Sequence, residues 1–341
     1  MAFLELLKVI VIGIVEGITE WLPISSTGHM LLLDLVLKFK ADPEFKEMFF
    51  VVIQLGAIIA VIYMYWSKLW PFRIATRHSV WDDEQDEYEE TGRRRSGQRS
   101  GQNRGDGRGD RNSNRGSRNR QMTKQQAQMR ALWKDEYRIG SIGVSRPILL
   151  MWVKVIVATI PAGIIGLLLD DWMEKYAHTP AVIAVALIVY GVLFVVVETR
   201  NKKRKPLITR VGQLTYLDAI KLGLFQSLAI VPGTSRSGAT IVGGLTMGVS
   251  RRLATEFSFF MSIPIMFGWS IVKLIKYGFH YSALQFFELL VGLIVAFLVS
   301  VFVIRFLIGY IKKNDFRLFG FYRIGLGVIV IIVFAIKAIV A

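Results

Sequence analysis

The sequence holds no cysteine in 341 residues, which excludes disulfides and thiol chemistry. That absence says little about compartment, because a membrane core needs no covalent staples. Histidine is scarce as well, four in all, and no His/Cys cluster has zinc-ligand spacing. The first apolar run has no cleavage site of small residues and carries Glu16 instead, so it does not read as a signal peptide. What abounds is apolar. Hydrophobic residues make up 53% and mean hydropathy is +0.44, which excludes an ordinary soluble domain and defines a polytopic membrane protein. The net charge of +16 then reports cytoplasmic loops facing anionic headgroups.

One short stretch breaks the apolar pattern, from Glu16 to His29, between the runs Phe3 to Val15 and Met30 to Leu37. It gathers two carboxylates, several hydroxyls and an imidazole where charge is costly and usually functional. Glu16 and Glu20 are four apart and share a helix face. Pro23 breaks that helix, and Ser25, Ser26 and Thr27 can cap the next one. A hydroxyl-lined helix N-terminus is a phosphate site. A second stretch, Gly223 to Thr240, answers the first at an offset of 210. Gly13 falls on Gly223, Glu16 on Gln226, Ser25 on Ser235 and Gly28 on Gly238, while Ser26 meets Arg236. This is an internal duplication, with the acids in one copy and the phosphate-binding cation in the other. Broken helices in paired repeats are a common way to build a central membrane site.

Glu16-x-x-x-Glu20, then Pro23-x-Ser25-Ser26-Thr27-Gly28-His29, then Pro232-Gly233-x-Ser235-Arg236-Ser237-Gly238-Ala239-Thr240, resembles the bacterial undecaprenyl-diphosphatase family, which also confers bacitracin resistance. Both motifs match without gaps, within residues 1–75 and 145–341. The resemblance implies removal of one phosphate from undecaprenyl diphosphate, giving undecaprenyl phosphate, the lipid carrier of cell-wall synthesis. It implies a multi-pass protein of the bacterial inner membrane, with membrane lipids around it and a polyprenyl diphosphate as substrate. A homodimer stays open as an assembly.

Along the chain, hydropathy predicts six spans, at 47–69, 147–169, 181–197, 254–276, 284–310 and 319–340. The apolar but short segments 2–22 with 29–38, and 216–231 with 239–248, predict two re-entrant helix pairs. Gln54, inside the first span, reads as a helix–helix hydrogen bond, with a substrate contact as the second reading. Gly13, Gly17, Gly238, Gly243 and Gly244 read as close helix contacts. Residues 76–140 differ from the rest: an acidic run, then an Arg/Gly-rich tract without aliphatic or aromatic residues that cannot build a core. The reading is a disordered cytoplasmic insertion and solvated tether, with RNA binding as the set-aside alternative. Domains are therefore 1–75, 76–140 and 141–341, the first and last carrying one re-entrant pair each. The basic loops 199–210 and 312–317 belong inside the cell and the acidic loop 170–180 outside. Counting spans from there, the two copies are inverted and their tips meet near the midplane. The expected fold is an all-α integral membrane bundle of six spans and two opposed re-entrant pairs, with a site opening outward.

Phosphoryl transfer needs a nucleophile, charge neutralisation and an activating base. Arg236 offers a planar fork for two phosphate oxygens, with further donors at Thr234, Ser235, Ser237 and Thr240. Ser25 and Thr27 are the substrate-binding hydroxyls of the first copy. Ser26 or His29 is the nucleophile, the other being its neighbour across the loop tip. Glu16 and Glu20 can hold a hard cation, Mg²⁺ or Ca²⁺; one can act as a base; or they are a proton-bearing structural pair. The family resemblance favours the divalent cation. Tyr322-Arg323, inside the last span, either adds a cation to the site or snorkels or pairs with an acid. The rival function is a lipid-phosphate flippase on the same midplane site.

Overall fold

The computed structural model describes residues 2–37, 39, 42–74, 136–139, 142–277 and 281–340. Most of the predicted polar segment 76–140 thus lies outside the described residues. Ten helices are described in chain order: α1 Ala2–Thr19, α2 Ser26–Leu37, α3 Pro43–Leu69, α4 Arg146–Ala177, α5 Pro180–Asn201, α6 Tyr216–Ser227, α7 Arg236–Thr246, α8 Arg251–Tyr277, α9 Ala283–Tyr310 and α10 Arg317–Val340. Among the described residues, six of them are long and apolar enough to cross a membrane: α3, α4, α5, α8, α9 and α10. The expected spans and the observed helices agree in number and place.

Two differences are instructive. The acidic stretch 170–180 is not a loop, since α4 continues to Ala177. Nothing there breaks a helix until Thr179, which caps α5 by accepting from Val182 N–H, with Pro180 at the first helical position. Likewise Arg200 and Asn201 are the last residues of α5, so the basic loop starts later than expected.

The chain divides into two compact units, Ser67–Leu149 and the remainder. The smaller one contains three strands that hydropathy does not reveal: β1 Phe72–Ile74, β2 Glu136–Ile139 and β3 Ile142–Ser145. They form an antiparallel sheet of order β1-β3-β2, with Phe72 opposite Val144 and Tyr137 opposite Val144 on the other side. So 136–139, at the end of the predicted polar segment, is ordered strand. Short β-branched and aromatic stretches suit such a sheet.

In the larger unit, small residues let helices approach closely. A Cβ at Gly191 of α5 would strike the Gly320 carbonyl of α10, and one at Gly320 would strike the Gly191 carbonyl. Gly13 and Gly17 lay α1 against the Gly292 and Ala296 carbonyls of α9. Gly223 lays α6 against the Ala158 carbonyl of α4. Of the five glycines expected at close contacts, Gly243 and Gly244 pack against Phe225 and Ala254, while Gly238 faces Ser235 and Phe194. One ion pair links α5 and α8 to the turn that precedes α10. Arg251 Nε donates to both Glu198 oxygens, at 2.8 and 3.1 Å, and Phe316 N–H donates to Glu198 Oε1 at 3.1 Å. Glu198 is the buried member, so removing Arg251 would leave a buried carboxylate without its cation.

Candidate active site

The two motif stretches come together as two helix-to-helix turns. In the first, α1 ends at Thr19, and residues 20–25 turn into α2. Ser25 takes φ of +74°, a left-handed conformation that is strained for any residue but glycine. Its Oγ faces Gly28 N–H at 3.5 Å, the position of a helix cap. In the second, a 3₁₀ turn Leu228–Ile230 ends α6, and Ser235 caps α7 by accepting from Gly238 N–H at 3.1 Å. The offset of 210 carries the first cap onto the second, Ser25 to Ser235 and Gly28 to Gly238. Gly233, with φ of +90°, makes the second turn feasible: a Cβ there would press into the Ile183 backbone.

A cavity of about 210 Å³ lies between the turns. Glu20, Ser26 and Arg236 line it. Arg236 Nη2 donates to Glu20 Oε1 at 2.9 Å, and Nη1 donates to the Ser258 carbonyl at 3.2 Å. The guanidinium lies 5.9 Å from the Trp21 ring centre. Ser26 Oγ donates to Glu20 Oε2 at 3.4 Å. The first turns of α2 and α7 thus share one cavity with an arginine, a carboxylate and a hydroxyl. That arrangement suits a phosphate group, which gains from helix N-termini and from a guanidinium fork.

Of the expected binding hydroxyls, Ser25, Thr27, Thr234 and Ser235 line this cavity as well. Ser237 and Thr240 do not. Ser237 shares a 3.0 Å hydrogen bond with Ser235, and the Thr240 hydroxyl is 3.0 Å from the Arg236 carbonyl and 3.3 Å from Gln226 Oε1. They buttress the turn rather than face the space. His29 does not line the cavity either. Its Nδ1 is 2.7 Å from the Ser25 carbonyl and its Nε2 is 2.7 Å from the Tyr322 hydroxyl, with the two rings stacked at 5.7 Å. A carbonyl only accepts, so Nδ1 carries the proton of that bond. The expected Ser26–His29 partnership is therefore replaced by Ser26 with Glu20.

Glu16 sits one turn before Glu20, 2% exposed, with Oε1 lacking any hydrogen-bond partner. Glu20 and Arg236 are both within electrostatic reach of it. Among the described residues, no group of three or more His, Asp or Glu side chains could hold a metal ion.

Three further residues bear on the site. Gln54 lines the cavity, where the second of its two readings puts it. Trp269, on α8, lines it too. Arg323 neither snorkels nor pairs with an acid. It is fully buried and donates to the carbonyls of Pro23 at 3.3 Å and Gly233 at 2.9 Å. Those two carbonyls are equivalent under the offset of 210, so one side chain clasps both turns at the same place.

Fold and site define a multi-pass membrane protein with an acid, an arginine and hydroxyls around one cavity. The chain belongs to the family described as bacitracin resistance protein BacA, which matches residues 9–99 and 114–329. Similar proteins named undecaprenyl-diphosphatase occur in Enterococcus faecalis, 44% identical over 98% of this chain and 99% of that one, and in Desulfitobacterium hafniense, 45% identical over 100% of both. A third, from Streptococcus gordonii, is 41% identical over 100% of both chains. The family match runs into the polar segment from both ends, leaving only 100–113 between its two parts. That is wider than the two blocks that carry the motifs.

Proposed function

We propose that this protein hydrolyses undecaprenyl diphosphate to undecaprenyl phosphate and inorganic phosphate, recycling the lipid carrier of cell-wall synthesis. The observation that carries the reading is the meeting of Arg236, Glu20 and Ser26 in one cavity, in a chain whose full-length relatives bear the name of that activity. The transport reading has no such support.

In this reading Arg236 holds the diphosphate and offsets the charge that develops during transfer. Ser26 is the nucleophile, since its hydroxyl faces the cavity and already points its proton at Glu20. His29 is a positioning residue, holding the strained Ser25 carbonyl and, through it, the start of α2. Ser25, Thr27, Thr234 and Ser235 are substrate-binding hydroxyls, with Ser237 and Thr240 supporting them. Gln54 joins the polar wall. A divalent cation belongs to the reading, and the donor set fits one. Glu16 Oε1 is a buried carboxylate oxygen without a partner, and Mg²⁺ is commonly held by one or two carboxylates plus the phosphates of its substrate. Glu16 and Glu20 would hold it, and bound there it would neutralise diphosphate charge.

The membrane architecture belongs to the same reading. α1–α2 and α6–α7 are re-entrant pairs of an inverted repeat. In support, the contacts exchange in matched pairs: α1 packs on α9 and α6 on α4, the second long helix after each pair in the opposite half. α5 and α10, the last helix of each half, pack on one another. The protein lies in the bacterial inner membrane with its site open outward. The polar segment is a cytoplasmic tether without a nucleic-acid partner, and a homodimer is an assembly compatible with the fold.

The experiment is phosphate release from undecaprenyl diphosphate by the purified protein in detergent, with and without a chelator. Release that the chelator abolishes and Mg²⁺ restores is the expected result. No release from an intact, folded sample overturns the activity; release unchanged by chelation overturns the cation.

A further inference from the structure

An apolar groove of about 440 Å³ runs along the first half of α5, from Ala181 to Tyr190, and is closed on its other side by Leu228 and Val231 of the second turn. It ends at Thr234, the residue that also lines the polar cavity. The two spaces therefore share a wall, one polar and one greasy. An occupant with a phosphate group at one end and a hydrocarbon chain at the other fits both at once. We propose that the groove holds the first isoprene units of the lipid substrate, with Val185 and Val189 gripping the chain. This rests on the functional reading above and says where that reading's substrate lies.

Three observations support the assignment. The first is length. From Ala181 to Tyr190, nine steps along α5 rise about 14 Å at ~1.5 Å each, close to half of the roughly 30 Å hydrocarbon layer. A groove that starts at the N-terminal end of a spanning helix and ends at its middle matches one leaflet, the depth a lipid with its headgroup at a central site must cover. The second is exposure. Val185 is 58% exposed and Val189 47%, so neither side chain is consumed by packing within the chain. The third is asymmetry. The offset of 210 sets Trp21 against Val231 and Ile24 against Thr234. Trp21 is wholly buried, edge-on to Phe259 at 5.0 Å, so the first copy spends its bulk in the core. Only the second turn combines a small apolar residue with a hydroxyl at the seam.

The test uses the full chain in detergent and four single variants on α5. Val185→Trp and Val189→Trp fill the groove; Val192→Trp and Val196→Trp place the same bulk on exposed positions of the same helix that do not line it. For undecaprenyl diphosphate the groove variants should raise KM by about tenfold or more with kcat little changed, the signature of lost binding that is equal in ground and transition states. The other two should match wild type. Equal KM in all four overturns the groove while leaving hydrolysis intact, whereas no phosphate release by wild type overturns the functional reading itself. A second measurement needs no variant. Farnesyl diphosphate carrying a terminal diazirine, photolysed on the wild-type protein, should label the peptide spanning 181–190, and excess inorganic phosphate alone should not protect it. Label confined to other helices, or label lost on adding excess phospholipid, shows a general lipid surface and overturns the assignment.

Discussion

In the proposed reading Arg236 holds the diphosphate, and its planar group makes two directed hydrogen bonds, to Glu20 and to the Ser258 carbonyl. Lysine keeps the charge but cannot hold both partners and a phosphate at fixed angles. Arg236→Lys should lower kcat/KM by about 10²-fold or more, the scale of losing one preorganised donor at a phosphoryl or oxyanion centre. Phosphate release under identical detergent conditions reads it, and activity near wild type would mean that Arg236 does not grip the diphosphate. Much at this scale was legible in the sequence. Glu16, Glu20, Ser26 and Arg236 stand out because charge and hydroxyls interrupt apolar runs. Their partners were not legible. Arg236 and Glu20 are 216 positions apart, and Arg323 reaches two carbonyls, which every residue possesses. The positive φ of Ser25 left no signal, because serine does not advertise a left-handed backbone as glycine would.

Helices in the membrane gain little from the hydrophobic effect against one another, so close backbone approach carries their association. Gly223 is the clearest case, since a methyl there would overlap the Ala158 carbonyl and push α6 away from α4. Gly223→Ala should destabilise by about 1–3 kcal/mol, the usual cost of overpacking. Gly166→Ala, with nothing within 4 Å of the added methyl, should be neutral or slightly stabilising through helix propensity. Apparent thermal midpoints of the two detergent-solubilised variants compare them; equal midpoints would mean that the α4–α6 contact is slack. Long apolar helices such as α9 and α10 were legible from hydropathy, because few other structures tolerate so long an apolar run with so few charges. The ends were harder. Residues 170–177 carry acids yet remain helical, since charge does not break a helix and only the Thr179-Pro180 cap restarts it. The strands at 72–74, 136–139 and 142–145 are too short for a period to show.

For the whole molecule, orientation is the property on which the remaining readings depend. A site open to the outer face requires the N-terminal end of α5 outside and its C-terminal end inside. The loop charges argue for this: Lys202, Lys203, Arg204 and Lys205 follow α5 directly, while its start is preceded by a stretch containing Asp170, Asp171 and Glu174. The groove along the first half of α5 would then open to the outer leaflet, on the same side as the site. Since the sequence has no cysteine, a single introduced thiol reports its own position without background. His178 and Lys203 flank α5 and are both exposed. His178→Cys should react with a membrane-impermeant maleimide on intact cells, and Lys203→Cys only after permeabilisation. Reaction of both on intact cells would mean that α5 does not cross the membrane. The reverse pattern would turn the protein over, placing the Arg236 cavity toward the cytoplasm and removing the physical basis for an outer-leaflet substrate.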